Sequence, residues 1–180
     1  QRWRHSLGRT LIGTDWPVSA ASGTYTFNGG PVDSGTLTKS GGGTLRLNNS
    51  NTYTGKTTIL GGTLRINSFD TLGLPTDANA IIDMYGGSTL RVSTTTTSQT
   101  TDRTINLAGG TGTATIRVND NDRVFTFGAV TASGTGAKTL ALNTGSGGNG
   151  DREGVVFNGA ISDVSDGSLL ATGTVSITVT

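Results

Sequence analysis

The chain has 180 residues, enough for one domain with a sizeable core. Its 29 Gly, comparably abundant Thr, 3 Pro and 32% hydrophobic residues argue for many thin cores in series, and the absence of Cys excludes disulfides, thiolate metal sites and thiol chemistry. A net charge of +1 gives no overall signal for nucleic acid, and no apolar run approaches the ~20 residues that cross a bilayer, so membrane insertion of this segment is not expected.

In chain order, residues 1–20 read as a basic amino-terminal tail or cap. Arg2, Arg4 and Arg9 are three of the 13 basic residues, and the other ten face 12 acids, so the body of the chain is slightly acidic. Leu11-Ile12 is interrupted by Gly13 and Asp15 and makes no signal-peptide core; an export signal is expected outside this chain. Trp3 and Trp16 are expected to cover the first coil, since an open solenoid end exposes apolar side chains.

Residues 21–180 read as a single β-helix domain. One unit recurs: Thr44-Leu45-Arg46-Leu47, Thr63-Leu64-Arg65-Ile66, Thr89-Leu90-Arg91-Val92, Thr115-Ile116-Arg117-Val118 and Thr139-Leu140-Ala141-Leu142. Polar and apolar residues alternate in each, the period of a strand with one buried face. Leu45, Leu64, Leu90, Ile116 and Leu140 are expected in one vertical column inside a wound tube, with Arg46, Arg65, Arg91 and Arg117 outside. Between these units lies a second series: Thr57–Leu60, Ala80–Met84, Arg103–Leu107, Val124–Phe127 and Val155–Phe157. Two interleaved families with a shared period of roughly 20–30 residues predict an all-β, right-handed parallel β-helix, a solenoid whose coils stack equivalent strands about 4.8 Å apart.

The bends agree. Asn48, Asn67, Asn119 and Asn143 follow the recurrent unit, with Ser93 in the remaining coil, and Asn suits a repeated bend. Gly61-Gly62, Gly86-Gly87 and Gly109-Gly110 mark the opposite bend. A longer repeat overlies the short one: Phe27-Asn28-Gly29 returns as Phe157-Asn158-Gly159, so a partial second super-repeat is expected from about residue 154. The final Thr174–Thr180 alternates cleanly, which predicts either a longer parent chain or head-to-tail docking of copies into a filament.

Gly35-Thr36-Leu37, Lys39, Gly43-Thr44-Leu45, Leu47, Asn51, Tyr53, Gly55, Thr57, Ile59 and Gly62-Thr63-Leu64 resemble the autotransporter-associated β-strand repeat, also called the passenger-associated transport repeat. The resemblance covers about 30 residues, and the carboxy-terminal partial copy departs from it, with Ala171 near the Lys position. It implies a β-helical segment of an autotransporter passenger or giant surface protein, secreted across the outer membrane to the extracellular space or cell surface.

Nothing in the sequence assembles a catalytic, cofactor or metal site. His5 is the single histidine and lies in the tail, which rules out a Ser/His/Asp arrangement. The stacked arginines could bind an acidic glycan, but the preferred reading is an outward ladder that keeps a flat sheet soluble. Asp120 with Asp122, and Asp151 with Glu153, could hold Ca²⁺; solvated turns are preferred. Thr94–Thr101 reads as a polar loop or an extra strand, with O-glycosylation as the functional alternative. Tyr53 is expected to pack at a bend.

The expected function is therefore a structural or adhesive extracellular stalk or filament, and not an enzyme. Its expected partners are copies of itself or cell-surface and matrix glycans. The alternative is a carbohydrate-binding or polysaccharide-degrading β-helix.

Overall fold

A computed structural model describes residues 15–19, 24–27, 35–93, 97–118, 123–144, 154–162 and 175–179. Short alternating segments separated by glycine and asparagine become short strands. The chain begins with β1 (Asp15–Ser19), β2 (Thr24–Phe27), β3 (Thr36–Ser40), β4 (Thr44–Leu47), β5 (Thr57–Ile59) and β6 (Gly62–Ile66). It continues through β7 (Ile81–Met84), β8 (Ser88–Val92), β9 (Gln99–Thr100), β10 (Thr104–Leu107), β11 (Gly112–Val118) and β12 (Val124–Phe127). Then come β13 (Val130–Ala132), β14 (Lys138–Thr144), β15 (Gly154–Phe157) and β16 (Val175–Val179).

Every strand pairing among the described residues is parallel. Three sheets result: sheet A in the order β1-β3-β5-β7-β10-β13, sheet B in the order β2-β4-β6-β8-β11-β14-β16, and sheet C in the order β9-β12-β15. From β1 to β8 the chain alternates between A and B, each return to A lying one layer further on, and from β9 onward it visits C between B and A. That path is a parallel β-helix. Asp15–Ser19, within the stretch read as tail or cap, pairs with β3 in the same sheet A.

The core is a set of columns. On sheet B, Leu45, Leu64, Leu90 and Ile116 lie in register, and Leu47, Ile66, Val92 and Val118 form a second column beside them. All eight are buried. The fifth member of the first column is Leu142, not the expected Leu140; Leu140 sits beside Ala114 instead. Gly112 pairs with Lys138, and the unit begins three residues later in β11, at Thr115, but one residue later in β14, at Thr139, so Thr139–Leu142 is displaced by two. A two-residue displacement preserves the inward face, and both leucines remain buried.

The second strand series also divides. Its first three members lie on sheet A as β5, β7 and β10, whereas Val124–Phe127 and Val155–Phe157 lie on sheet C. The later coils are therefore three-sided, and their sheet A positions are taken by β13 and by the bridge from Val130 to Ile161. Likewise Phe27 lies on sheet B and Phe157 on sheet C. In an earlier coil a 3₁₀ turn over Phe69–Leu72 buries Phe69 and Leu72. The Phe69 ring meets Phe125 and Phe127 edge-on, with centroids 6.2 and 5.0 Å away.

The glycine pairs sit at the A-to-B bend as expected. Gly62 there has φ 65°, and a Cβ on it would run into the carbonyl oxygens of Gly41 and Gly43 in the coil before.

Candidate functional site

The repeat residues explain themselves by stacking. Lys39 lies in an inward column of sheet A, beside Ile59, and is 0% exposed. Its Nζ donates to the carbonyls of Ser40, Gly41 and Gly61 at 2.8, 2.8 and 3.0 Å, tying the bends of two coils together. Desolvation lowers its pKa below the ordinary lysine value, while three carbonyls each take one N–H. Lys138 closes a later bend at the same corner, donating to the carbonyls of Gly134, Thr135 and Gly136.

Asn51, Tyr53, Gly55 and Thr57 line the opposite side. Asn51 Nδ2 donates to the Thr71 carbonyl of the next coil at 2.7 Å. Gly55 approaches the Gly35 carbonyl so closely that a Cβ would collide with it. Thr57 occupies an inward apolar column, and its hydroxyl is satisfied by the buried Tyr53 hydroxyl at 2.8 Å. Burial raises the Tyr53 pKa to about 12, against the opposing pull of the Thr57 bond and of Arg103. Arg103 is buried too and donates to the Gly73 carbonyl at 2.7 Å. Burial lowers its pKa, with Tyr53 and Asp70 pulling the other way.

Two outward faces carry the remaining chemistry. On sheet A, Thr58, Asp83, Asn106 and Thr131 stand in register. Asp83 accepts from Lys56 Nζ at 2.6 Å and from Asn106 Nδ2 at 2.7 Å, and the Lys56 pKa is raised chiefly by that hydrogen bond. On sheet B, Arg46, Arg65, Arg91 and Arg117 form one unbroken row, next to a row of Thr44, Thr63, Thr89 and Thr115. Arg117 is exposed and the other three are partly covered. Arg65 Nη2 donates to Ser93 Oγ at 3.1 Å.

The arginine ladder therefore stands where the repeat placed it. Of the bend asparagines, Asn67 donates to Asn48 Oδ1 at 3.3 Å, so the amides do bond along the axis. Asn143 instead lies in the arginine row beside Arg117. Asp120, Asp122, Asp151, Glu153, His5 and Trp3 lie outside the described residues, as does Thr94–Thr96. Downstream of it, Gln99–Thr100 forms an added strand of sheet C, and Gln99 Oε1 accepts from the Phe69 amide at 2.9 Å. Among the described residues no group of three or more His, Asp or Glu could hold a metal ion, and no helix is long and apolar enough to cross a membrane. The buried polar roles of Lys39, Asp83 and Arg103 were not legible in the pattern, because each depends on a neighbouring coil, and that of Lys138 depends on how its own bend folds back.

Residues 37–66 match the family described as the passenger-associated-transport-repeat. The chain is also 38% identical over 126 residues to the adhesin BmaC autotransporter of Brucella suis biovar 1 (strain 1330). That match takes in 67% of this chain and 4% of the relative, so the chain spans a small part of that protein's length. No solved structure matches the chain.

Proposed function

We infer that this β-helix, which carries a passenger-associated-transport-repeat, is a structural and adhesive segment of an exported protein displayed at the cell surface. The observation behind the reading is where the repeat directs its polar residues. Lys39, Asn51 and Gly55 join one coil to the next, and Tyr53 satisfies Thr57 in the core. Such a chain builds a continuous rod whose outer faces are threonine and arginine rows. The likeness to an adhesin autotransporter supports the same role and the same extracellular location.

A non-enzymatic role is proposed on the same ground. Among the described residues the buried carboxylate is that of Asp83, and its two oxygens are engaged by Lys56 and Asn106. A carboxylate held in that way is a strut, not a free acid or base. Residues 21–180 are proposed as one β-helical domain, which Asp15–Ser19 joins through its pairing with β3. Partners of the rod are surface or matrix glycans, or further coils of like repeats.

The reading is tested by displaying the chain on a non-adherent bacterium and counting attachment to matrix-coated surfaces and cultured cells. Attachment well above the empty display is expected. Attachment no greater than the empty display, with the chain detected at the surface, overturns the adhesive role.

A further inference from the structure

We propose that the arginine ladder of sheet B is a binding track for a linear acidic polysaccharide, whose uronate or sulfate groups meet successive guanidiniums along the helix axis. The proposal deepens the adhesive reading above by naming the partner class.

The register sets Arg46, Arg65, Arg91 and Arg117 directly above one another across four adjacent strands. Adjacent strands are about 4.8 Å apart, so four like charges stand in single file at close quarters. Cross-strand like charges are destabilising, and a row of them persists only against a compensating gain. The strands that carry the row supply no counter-charge: β4, β6, β8 and β11 contain no Asp or Glu. Among the described residues no carboxylate pairs with Arg46, Arg91 or Arg117.

The Nε atoms of Arg46, Arg65 and Arg91 are covered and make no hydrogen bond. The inner part of each side chain is thus packed, and the donors left for a ligand are the terminal nitrogens of Arg46 and Arg91, together with the exposed Arg117. A planar guanidinium fork binds carboxylate or sulfate in a bidentate manner, which a lysine row cannot do. The parallel threonine row repeats at the same step and offers a hydroxyl per coil to the sugar.

Three features favour a polysaccharide over other polyanions. The cations form one file, which suits a single linear chain. The outward positions of β4, β6, β8 and β11 carry no aromatic ring on which a nucleobase would stack. Among the described residues the exposed large apolar side chains, Leu60, Leu74, Val156 and Ile161, all lie off the strands that carry the arginine row, which favours a polar ligand over a membrane.

The test is calorimetric titration of the 180-residue chain with heparin-derived oligosaccharides and with oligogalacturonate. Neutral dextran, a single-stranded oligonucleotide and phosphatidylserine vesicles serve as comparisons. The acidic oligosaccharides are expected to bind best, with affinity falling as salt rises. Replacing Arg46→Gln and Arg91→Gln together is expected to weaken binding about tenfold or more. Arg91→Lys is expected to keep the salt dependence with weaker affinity, and circular dichroism confirms that each variant is folded. Replacing Arg2, Arg4 and Arg9 by Gln is expected to change nothing.

Failure of the folded chain to bind either acidic glycan overturns the proposal. So does tighter binding of the oligonucleotide or vesicles, or a loss that follows the amino-terminal arginines instead of the ladder. Attachment of the displayed chain that survives the double variant overturns the track and leaves the adhesive role standing. Glycan binding by a chain that attaches to nothing does the reverse.

Discussion

At Tyr53 a phenol is buried because Thr57 is. Thr57 sits in an inward column between Leu37 and Ile82, where an unpaired hydroxyl would cost on the order of 1–3 kcal/mol. The Tyr53 hydroxyl removes that cost, and its own burial raises its pKa from 10.0 to about 12. The folded chain then holds this proton more tightly than the unfolded chain. Stability from this group is fully present below about pH 10 and is lost as pH rises through about 12. Phenolate absorbance should therefore show a late-titrating tyrosine coincident with unfolding, and Tyr53→Phe should remove that step. Lys39 presents the opposite case, a cation inside the core held by three carbonyls. Lys39→Met keeps the bulk and deletes the donors, so denaturant titration should show a loss of about 2 kcal/mol.

Individual strands here are too short to persist alone; β9 has two residues and β5 three. What holds them is the element above and below, and the corner of sheet C shows how. The turn Phe69–Leu72 lacks strand geometry, yet Phe69 reaches Phe125 and Phe127, while Phe127 meets Phe157 at 6.0 Å. Phe69→Ala should cost about 3–5 kcal/mol by denaturant titration, the range for an aromatic removed from a core. Hydrogen exchange in that variant should rise in β12 as well as in the turn, because the ring is shared between elements far apart in sequence.

The whole molecule behaves as a stack with nearest-neighbour contacts. Leu64 and Leu90 touch across adjacent coils, whereas Leu45 and Leu142 share a column with three strands between them. Each Leu→Ala change should cost about 2–5 kcal/mol. A double-mutant cycle on Leu64 and Leu90 should show coupling of roughly 0.5 kcal/mol or more, while Leu45 and Leu142 should add within about 0.5 kcal/mol. Equal coupling in the two cycles would contradict a stack of thin cores.

The sequence by itself determined the period, the inward faces, the arginine row and the repeat over residues 37–66, because a parallel coil copies its pattern directly onto the coil beneath. Alternation of two fixed which side chains entered the core, so even the displaced β14 kept Leu140 and Leu142 inside. Tertiary structure alone decided the rest. The register of β14 against β11 set which leucine completed a column, and the third side of the later coils set which strands formed sheet C. The buried places of Lys39, Arg103 and Asp83 were decided there too. Their partners lie more than twenty residues away, at Gly61, Gly73 and Lys56, and meet them only once the chain has wound back on itself.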